Sequence, residues 1–298
     1  MSRRMVGVAL AFTTALVSGV AIYVNGYAVK HFDSPTVYTT AKNAVAGLLL
    51  LLAFAFRPHE RPAARRARAW PALLAVAVIG GSVPFVLFFE GLARAQATQA
   101  AFVQKTLVVW VALLAVPILH ERIRWPHVLA ICLLVAGQAW LAGSAGTVAF
   151  GGGEAMILAA TLLWAVEVVL VKRFVDFIPA RTLAVGRMAL GAALLVAWLV
   201  VRGDAAQVLR FDRTQWMWVA LTGILLTAYV ATWYAALARA QAVDVTAVLV
   251  LGAVVTALLS GAADGAHVSI PGTGLIVAGV GLVALAAARR RSAASAPA

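Results

Sequence analysis

Leu92-Ala93-Arg94-Ala95-Gln96-Ala97 recurs, residue for residue, as Leu237-Ala238-Arg239-Ala240-Gln241-Ala242, 145 positions further on. Each copy follows one apolar run and precedes another, and the flanks align as well. Pro126 pairs with Pro271 at the same spacing of 145, Phe88 with Trp233 and Phe89 with Tyr234. Nearer the N-terminus the spacing shortens. Lys30-His31-Phe32 matches Lys172-Arg173-Phe174 at 142 and Pro35 matches Pro179 at 144, a drift that short loop insertions explain. The chain therefore reads as two related halves, residues 1–150 and 151–298.

The composition says where these halves reside. Of 298 residues, 63% are hydrophobic and 12% charged, with mean hydropathy +0.96, whereas a soluble domain is about half apolar and about a quarter charged. The fold class is an all-α polytopic membrane protein. A bilayer core of roughly 30 Å needs about 20 apolar helical residues. Ten stretches meet that need, at roughly 5–28, 36–56, 71–92, 97–117, 126–143, 153–172, 180–201, 215–236, 243–262 and 270–288. The breaks between them hold chemistry foreign to lipid. They include Arg57-Pro58-His59-Glu60-Arg61-Pro62 running on to Arg68, His120-Glu121-Arg122, Gly151-Gly152-Gly153, and the polar stretch from Arg202 to Arg213. The tail from Arg289 is expected to end the last helix and to be disordered. Arg3 and Arg4 ahead of an apolar run look like the start of a secretory signal. That run has a counterpart in the second half, so it is expected to stay as part of the fold.

Five spans per half is an odd number, so the second half enters the membrane upside down relative to the first. Two inverted bundles rocking about a site near the midplane is a recurrent transporter design. Lys and Arg set the orientation. With the N-terminus in the cytoplasm, sixteen of the 24 basic residues fall on inside segments, five outside (Lys30, Arg94, Arg202, Arg210 and Arg213), and three within spans (Lys42, Lys105 and Arg187). Both termini are expected in the cytoplasm, and the net charge of +13 then belongs to cytoplasmic loops rather than to a nucleic-acid surface. The single Cys132 allows no internal disulfide and carries no information on redox compartment.

Enzyme readings find no support. The five histidines (His31, His59, His120, His127 and His267) lie near span ends, and His120-Glu121 and His127 lack the HExxH spacing. No GxxxxGK phosphate loop is present, and no soluble domain is available to bind nucleic acid. No cofactor and no metal are expected.

Ionisable groups inside spans are costly unless they face a cavity or a partner, which makes them the best pointers to function. Glu167 lies in span six, and its counterpart at spacing 142 is Asn25. Thr14, Ser18, Ala21 or Ile22, and Asn25 form one polar stripe along span one, and Ala160, Trp164, Glu167 and Val171 the equivalent stripe along span six. Glu167 either meets a cationic group or a transported proton, or pairs with Lys172 or Arg173. Lys105, deep in span four, either contacts solute or neutralises Glu90 or Glu167. Glu90 and Arg94 are spaced to pair along one helix. Lys42 and Arg187 are near enough to span ends to snorkel, which gives them structural roles. Trp70, Trp125, Trp140, Trp198, Trp216 and Trp218 are placed as interfacial anchors. Phe88, Trp164, Tyr229 and Trp233 either stack on a flat or cationic solute or simply pack. Pro84, one turn after Gly80 and Gly81, marks a kink or hinge in span three.

The Phe88–Ala97 and Trp233–Ala242 stretches, each leading into an apolar helix, resemble the drug/metabolite transporter superfamily in its ten-helix, two-repeat (EamA-like) branch. Pro117 through Glu121-Arg122 is similar to the family's proline and glycine-glutamate-arginine ending of helix four, with His120 in the glycine place. Arg187 and Gly191 look like its helix-seven arginine. The second half departs at Gly265-Ala266, where the glutamate is absent, and the first has Asn43 where the second has Arg187, with Lys42 adjacent. The resemblance covers nearly the whole chain. It implies alternating access for small organic solutes, with a central cavity lined by helices 1, 3, 4, 6, 8 and 9.

The residues expected to contact substrate are Ser18, Asn25, Phe88, Phe102, Lys105, Trp164, Glu167, Tyr229 and Trp233. The expected function is export of a small amphipathic, amino-acid-like or drug-like solute across the cytoplasmic membrane, driven by the proton gradient or the membrane potential. One charge crossing 100 mV is worth about 2.3 kcal/mol, enough for a solute ratio on the order of 50-fold. The partners are then the solute and the lipid bilayer, with monomer or homodimer left open. The alternatives are an uncoupled facilitator or importer of the same fold, or a membrane enzyme or lipid scramblase that reuses it.

Overall fold

The computed structural model describes residues 3–55, 66–121, 123, 125–143, 150–266 and 268–294. The basic stretch 57–65, Arg122, Arg124 and His267 lie outside them. Among the described residues there is no strand. The ten helices are α1 (Arg3–Ala28), α2 (Pro35–Ala55), α3 (Arg66–Val76 continuing through a π-turn at Ala77–Ser82 into Val83–Leu92), α4 (Ala97–Lys105 and Leu107–Leu119), α5 (Trp125–Gly143), α6 (Gly152–Phe174), α7 (Ala180–Arg202), α8 (Arg213–Leu237), α9 (Ala242–Leu249 and Leu251–Asp264) and α10 (Ile270–Ala294). The last is a correction to the sequence reading. Arg289–Arg291 do not close α10, which continues to Ala294 in a run rich in Ala and Arg, both good helix formers.

Eight of these helices are long and apolar enough to cross a membrane, and α5 and α10 contribute the shorter apolar segments Trp125–Leu141 and Ile270–Ala286. The two short helices pack on each other. The remaining contacts obey the duplication. The α1–α8 pairing has its mirror in α6–α3, α1–α9 in α6–α4, and α2–α8 in α7–α3, while α2 and α7 meet across the centre. These reciprocal pairings are what an inverted five-helix repeat requires, and the molecule is built that way.

Local sequence explains three irregularities in the helices. In α3, Pro84 has no N–H to donate to Gly80, four residues earlier. The helix widens there, with the N–H of Val83 reaching back to the carbonyl of Val78. In α4 and α9 the helix is interrupted at Thr106 and at Val250, one residue apart in repeat register. Breaks in corresponding helices of the two halves are a feature of transporter folds. Finally, α4 ends at His120, and its counterpart α9 ends at Gly265. Both are left-handed, with φ of 53° and 67°. His120 thus occupies a position whose backbone suits glycine.

The outward faces suit lipid and its interfaces. Trp70, Trp125, Trp140, Trp198 and Trp216 are all exposed, as expected of interfacial anchors. Trp218 instead stacks on His31, with centroids 5.4 Å apart.

Candidate functional site

The helices enclose a central cavity of about 70 Å³, room for a few waters even before any side chain moves. Both repeats line it. The first supplies Ser18, Ala21, Ile22 and Asn25 from α1, Lys42 from α2, Phe85, Phe88 and Phe89 from α3, and Gln104 and Leu107 from α4. The second supplies Trp164, Glu167 and Val168 from α6, Arg187 from α7, and Thr222, Leu226, Tyr229 and Trp233 from α8. Most of these side chains are buried and none is exposed. Helices α2 and α7 therefore belong to the wall, contrary to the family-based expectation, and α9 contributes no lining residue.

Seven of the nine residues expected from sequence meet here: Ser18, Asn25, Phe88, Trp164, Glu167, Tyr229 and Trp233. Phe102 and Lys105 do not. They face a crevice of about 10 Å³ between α4 and α5, beside Leu134, Gln138 and Val250. Lys105 sits at the break in α4, and its Nζ turns back to donate to Ser18 Oγ at 2.7 Å and Gln104 Oε1 at 3.0 Å. It stands one layer behind the wall.

Two polar nodes face the cavity, and the duplication relates them. The second-repeat node is built on Glu167. Arg187 holds the carboxylate from two sides: Nε lies 2.9 Å from Oε1, and Nη2 donates to Oε2 at 3.2 Å. The hydroxyl of Tyr234 donates to Oε1 at 2.5 Å. The carboxylate rests against Gly80, where a Cβ would collide with it. The Gly80 carbonyl that Pro84 leaves without its helical partner accepts from Trp164 Nε1 at 3.1 Å. Lys172 and Arg173 are not partners of Glu167. Lys172 donates to the carbonyls of Leu237 and Ala240, and Arg173 to that of Ile118.

The first-repeat node is built on Asn25, the counterpart of Glu167. Tyr38 donates to Asn25 Oδ1 at 2.6 Å, and Lys42 Nζ lies 3.3 Å from the same oxygen. Phe89, the counterpart of Tyr234, presents its ring 3.2 Å from Lys42 Nζ. The Tyr38 hydroxyl also meets Thr222 Oγ1 at 3.0 Å. Lys42 and Arg187 are 2% and 3% exposed, so neither snorkels. Each projects from the inner face of its helix onto partners from other helices of the bundle. The clue in the sequence was register: both lie near the aligned positions Asn43 and Arg187, opposite the aromatic pairs of α3 and α8.

Phe85, Phe88, Trp164, Tyr229 and Trp233 bring aromatic rings to the remaining wall. Phe88 and Trp164 pack with centroids 5.4 Å apart, and Tyr229 stacks on Trp233 at 6.0 Å. Thr14, the first residue of the α1 stripe, instead joins α1 to α8 through Thr232 Oγ1 at 2.9 Å.

The bundle end bearing the termini is closed by charged contacts. Glu121 accepts from the N–H groups of Ala242 at 2.7 Å and Val243 at 3.2 Å, capping the start of α9, where free N–H groups and the helix dipole favour a carboxylate. Burial lifts the Glu121 carboxyl above the ordinary carboxylate range, against the opposing pull of those two N–H groups. Beside it, Arg4 binds Asp244 at 2.5 Å, with His127 Nε2 3.4 Å from the other carboxylate oxygen. At the opposite end the contacts are Tyr27 with Asp264, Thr36 with Glu90 at 2.8 Å, and the pairing of Glu90 with Arg94 at 2.7 Å. The last is the pair anticipated from their spacing. The residue in register with Glu121 is Ala266, whose side chain supplies no equivalent cap.

A ten-helix membrane protein with two inverted repeats around a shared internal cavity has the form of a carrier. The model of the EamA-like transporter family matches residues 5–143 and 151–287, and the chain belongs to that family. Its fold is also similar to that of a solved structure described only as "Crystal structure of protein", with a TM-score of 0.73 and 21% sequence identity over 95% of this chain and 98% of that one. No curated protein matches it. The chain is thus a multi-pass membrane protein of a family that transports small solutes.

Proposed function

We propose that the chain is a secondary transporter that exports a small amphipathic organic solute, amino-acid-like in size, by alternating access. The observation that carries this reading is the cavity at the repeat interface, with aromatic walls and buried polar groups supplied by both halves. Residues 1–150 and 151–298 act as the two units. The excess of Lys and Arg on the segments at the termini end supports a cytoplasmic location for that end, in the cytoplasmic membrane. The contacts of Glu121 and Asp244 then form the inner closure. They must part for solute to enter from the cytoplasm, and the opposite contacts must part for release. The proton gradient or the membrane potential supplies the driving force.

The test is counterflow of labelled solutes with purified protein in liposomes. Saturable exchange of a small organic solute supports the carrier. Lipid flipping or chemical conversion without solute exchange contradicts it. Orientation is checked separately in a Cys132→Ala background, where a cysteine placed beside Arg65 should be labelled from the cytoplasmic side only.

A further inference from the structure

We infer that the central cavity binds a net-anionic solute, a carboxylate on an apolar or aromatic body, with the carboxylate held by Lys42 and Arg187. The charges on the wall are uneven. Its lining holds two cations, Lys42 and Arg187, and one carboxylate, Glu167. Glu167 is already held by Arg187 and Tyr234, which leaves no free carboxylate among the described lining residues to receive an ammonium group.

The cations, in contrast, have donors to spare. Lys42 is 2% exposed and has no ion-pair partner among the described residues. An ammonium has three N–H donors, yet the one hydrogen-bond acceptor Lys42 meets among the described residues is the amide oxygen of Asn25, its other neighbours being the rings of Phe89, Tyr38 and Phe85. The guanidinium of Arg187 hydrogen-bonds Glu167 through Nη2 and stands 2.9 Å from its Oε1 at Nε as an ion pair, while buried Nε and Nη1 have no hydrogen-bond partner among the described residues. Both cations flank one ring: Lys42 Nζ is 5.7 Å and Arg187 Cζ 5.3 Å from the centre of Phe85. Lys105, one layer behind Ser18, likewise has no ion-pair partner among the described residues. Charging a buried amine without a counter-charge is expensive. A ligand carboxylate supplies the missing counter-charge and accepts the unspent N–H bonds, while Phe88, Trp164 and Trp233 cover an apolar body.

Binding of the anion stands apart from the carrier reading, on which only its movement across the membrane rests. A net anion leaving a negative cytoplasm moves down the membrane potential, so its export needs no accompanying proton. The test uses the full chain in detergent and four probes of similar shape: phenylpropionate (anion), phenylpropionamide (neutral), phenylalanine (zwitterion) and phenethylamine (cation). Binding is read by ligand-induced shift of the unfolding temperature and by tryptophan fluorescence.

The anion should bind about tenfold or more tighter than the amide, the scale of a hydrogen bond to a charged group. Lys42→Met should abolish that preference while amide binding persists, and Lys42→Arg should restore it. Should Lys42→Met fail to fold, the probe ranking of the native protein and of Lys42→Arg decides. A cation or zwitterion binding as tightly as the anion overturns the inference, as does the absence of binding by all four. Anion binding without counterflow in liposomes leaves the inference standing and removes the carrier reading. Counterflow restricted to cationic probes does the reverse.

Discussion

The two polar nodes on the cavity wall are related by the duplication through Asn25 and Glu167 and through Phe89 and Tyr234, while their basic residues, Lys42 and Arg187, stand one position out of register. Where the second repeat has Glu167, the first has Asn25, and where the second has Tyr234, the first has Phe89. In the second node a carboxylate is held by a guanidinium and a phenol, with guanidinium Nη1 left over. The first node holds an ammonium against an amide and a ring. One node joins α6, α7 and α8 and has a guanidinium nitrogen to spare, and the other is an unfinished site. The same asymmetry recurs at the ends of the bundle, where Glu121 caps α9 and Ala266, its repeat counterpart, offers nothing to α4. Duplication set up the symmetric cage, and single-residue divergence gave its halves different work.

That contrast predicts opposite outcomes for removing the two cations. Arg187→Met strands the buried Glu167 carboxylate and should destabilise the protein by about 3–5 kcal/mol, the scale for breaking a buried pair from one side. Lys42→Met removes a buried cation that has no counter-charge and should leave stability unchanged or higher. Equilibrium unfolding in detergent compares them, and equal losses would erase the distinction between the nodes. Gly80→Ala should cost about 1–3 kcal/mol, because its Cβ must enter the space of the Glu167 carboxylate. The matched change at Gly152, where a Cβ meets nothing, should cost far less.

The end closures extend the comparison. The Glu121 carboxyl is raised by burial, so the closed end binds its proton more readily than the open end, where the group is solvated. By linkage, this group favours closure at acidic pH, and that contribution is lost as pH rises from the ordinary carboxylate range through the raised value. Labelling of Ala240→Cys in a Cys132→Ala background should therefore quicken with rising pH, and Glu121→Gln should flatten the slope. A slope unchanged by Glu121→Gln would assign the pH dependence to another group. The smallest expected effect is at the helix ends. His120→Gly relieves a left-handed residue that Gly265 accommodates in the other repeat, and should stabilise by about 1 kcal/mol. No gain in the unfolding midpoint would mean that His120 side-chain contacts offset the strain.

Most of the architecture was legible in the sequence because lipid imposes a strong pattern. Apolar length located the helices, and the repeat with its odd number of spans gave the inversion. Helical spacing placed Ser18, Asn25, Trp164 and Glu167 on cavity-facing stripes. Three features were not legible. Lys42 and Arg187 could snorkel or turn inward according to the face each helix buries, which is settled by packing between the two repeats. Lys105 had the depth of a cavity residue, but the break at Thr106 lies beside it and its ammonium reaches only as far as Ser18. Glu121 finds the start of α9 far along the chain, a pairing that no local pattern encodes.

The claim that unites these observations is that the solute held in the cavity is a net anion. Liposomes containing the protein and loaded with labelled phenylpropionate can be given a potassium diffusion potential of either sign. Efflux should accelerate with a negative interior and slow with a positive one, and Lys42→Met should abolish both responses. Efflux that is equally fast at the two polarities would contradict the account.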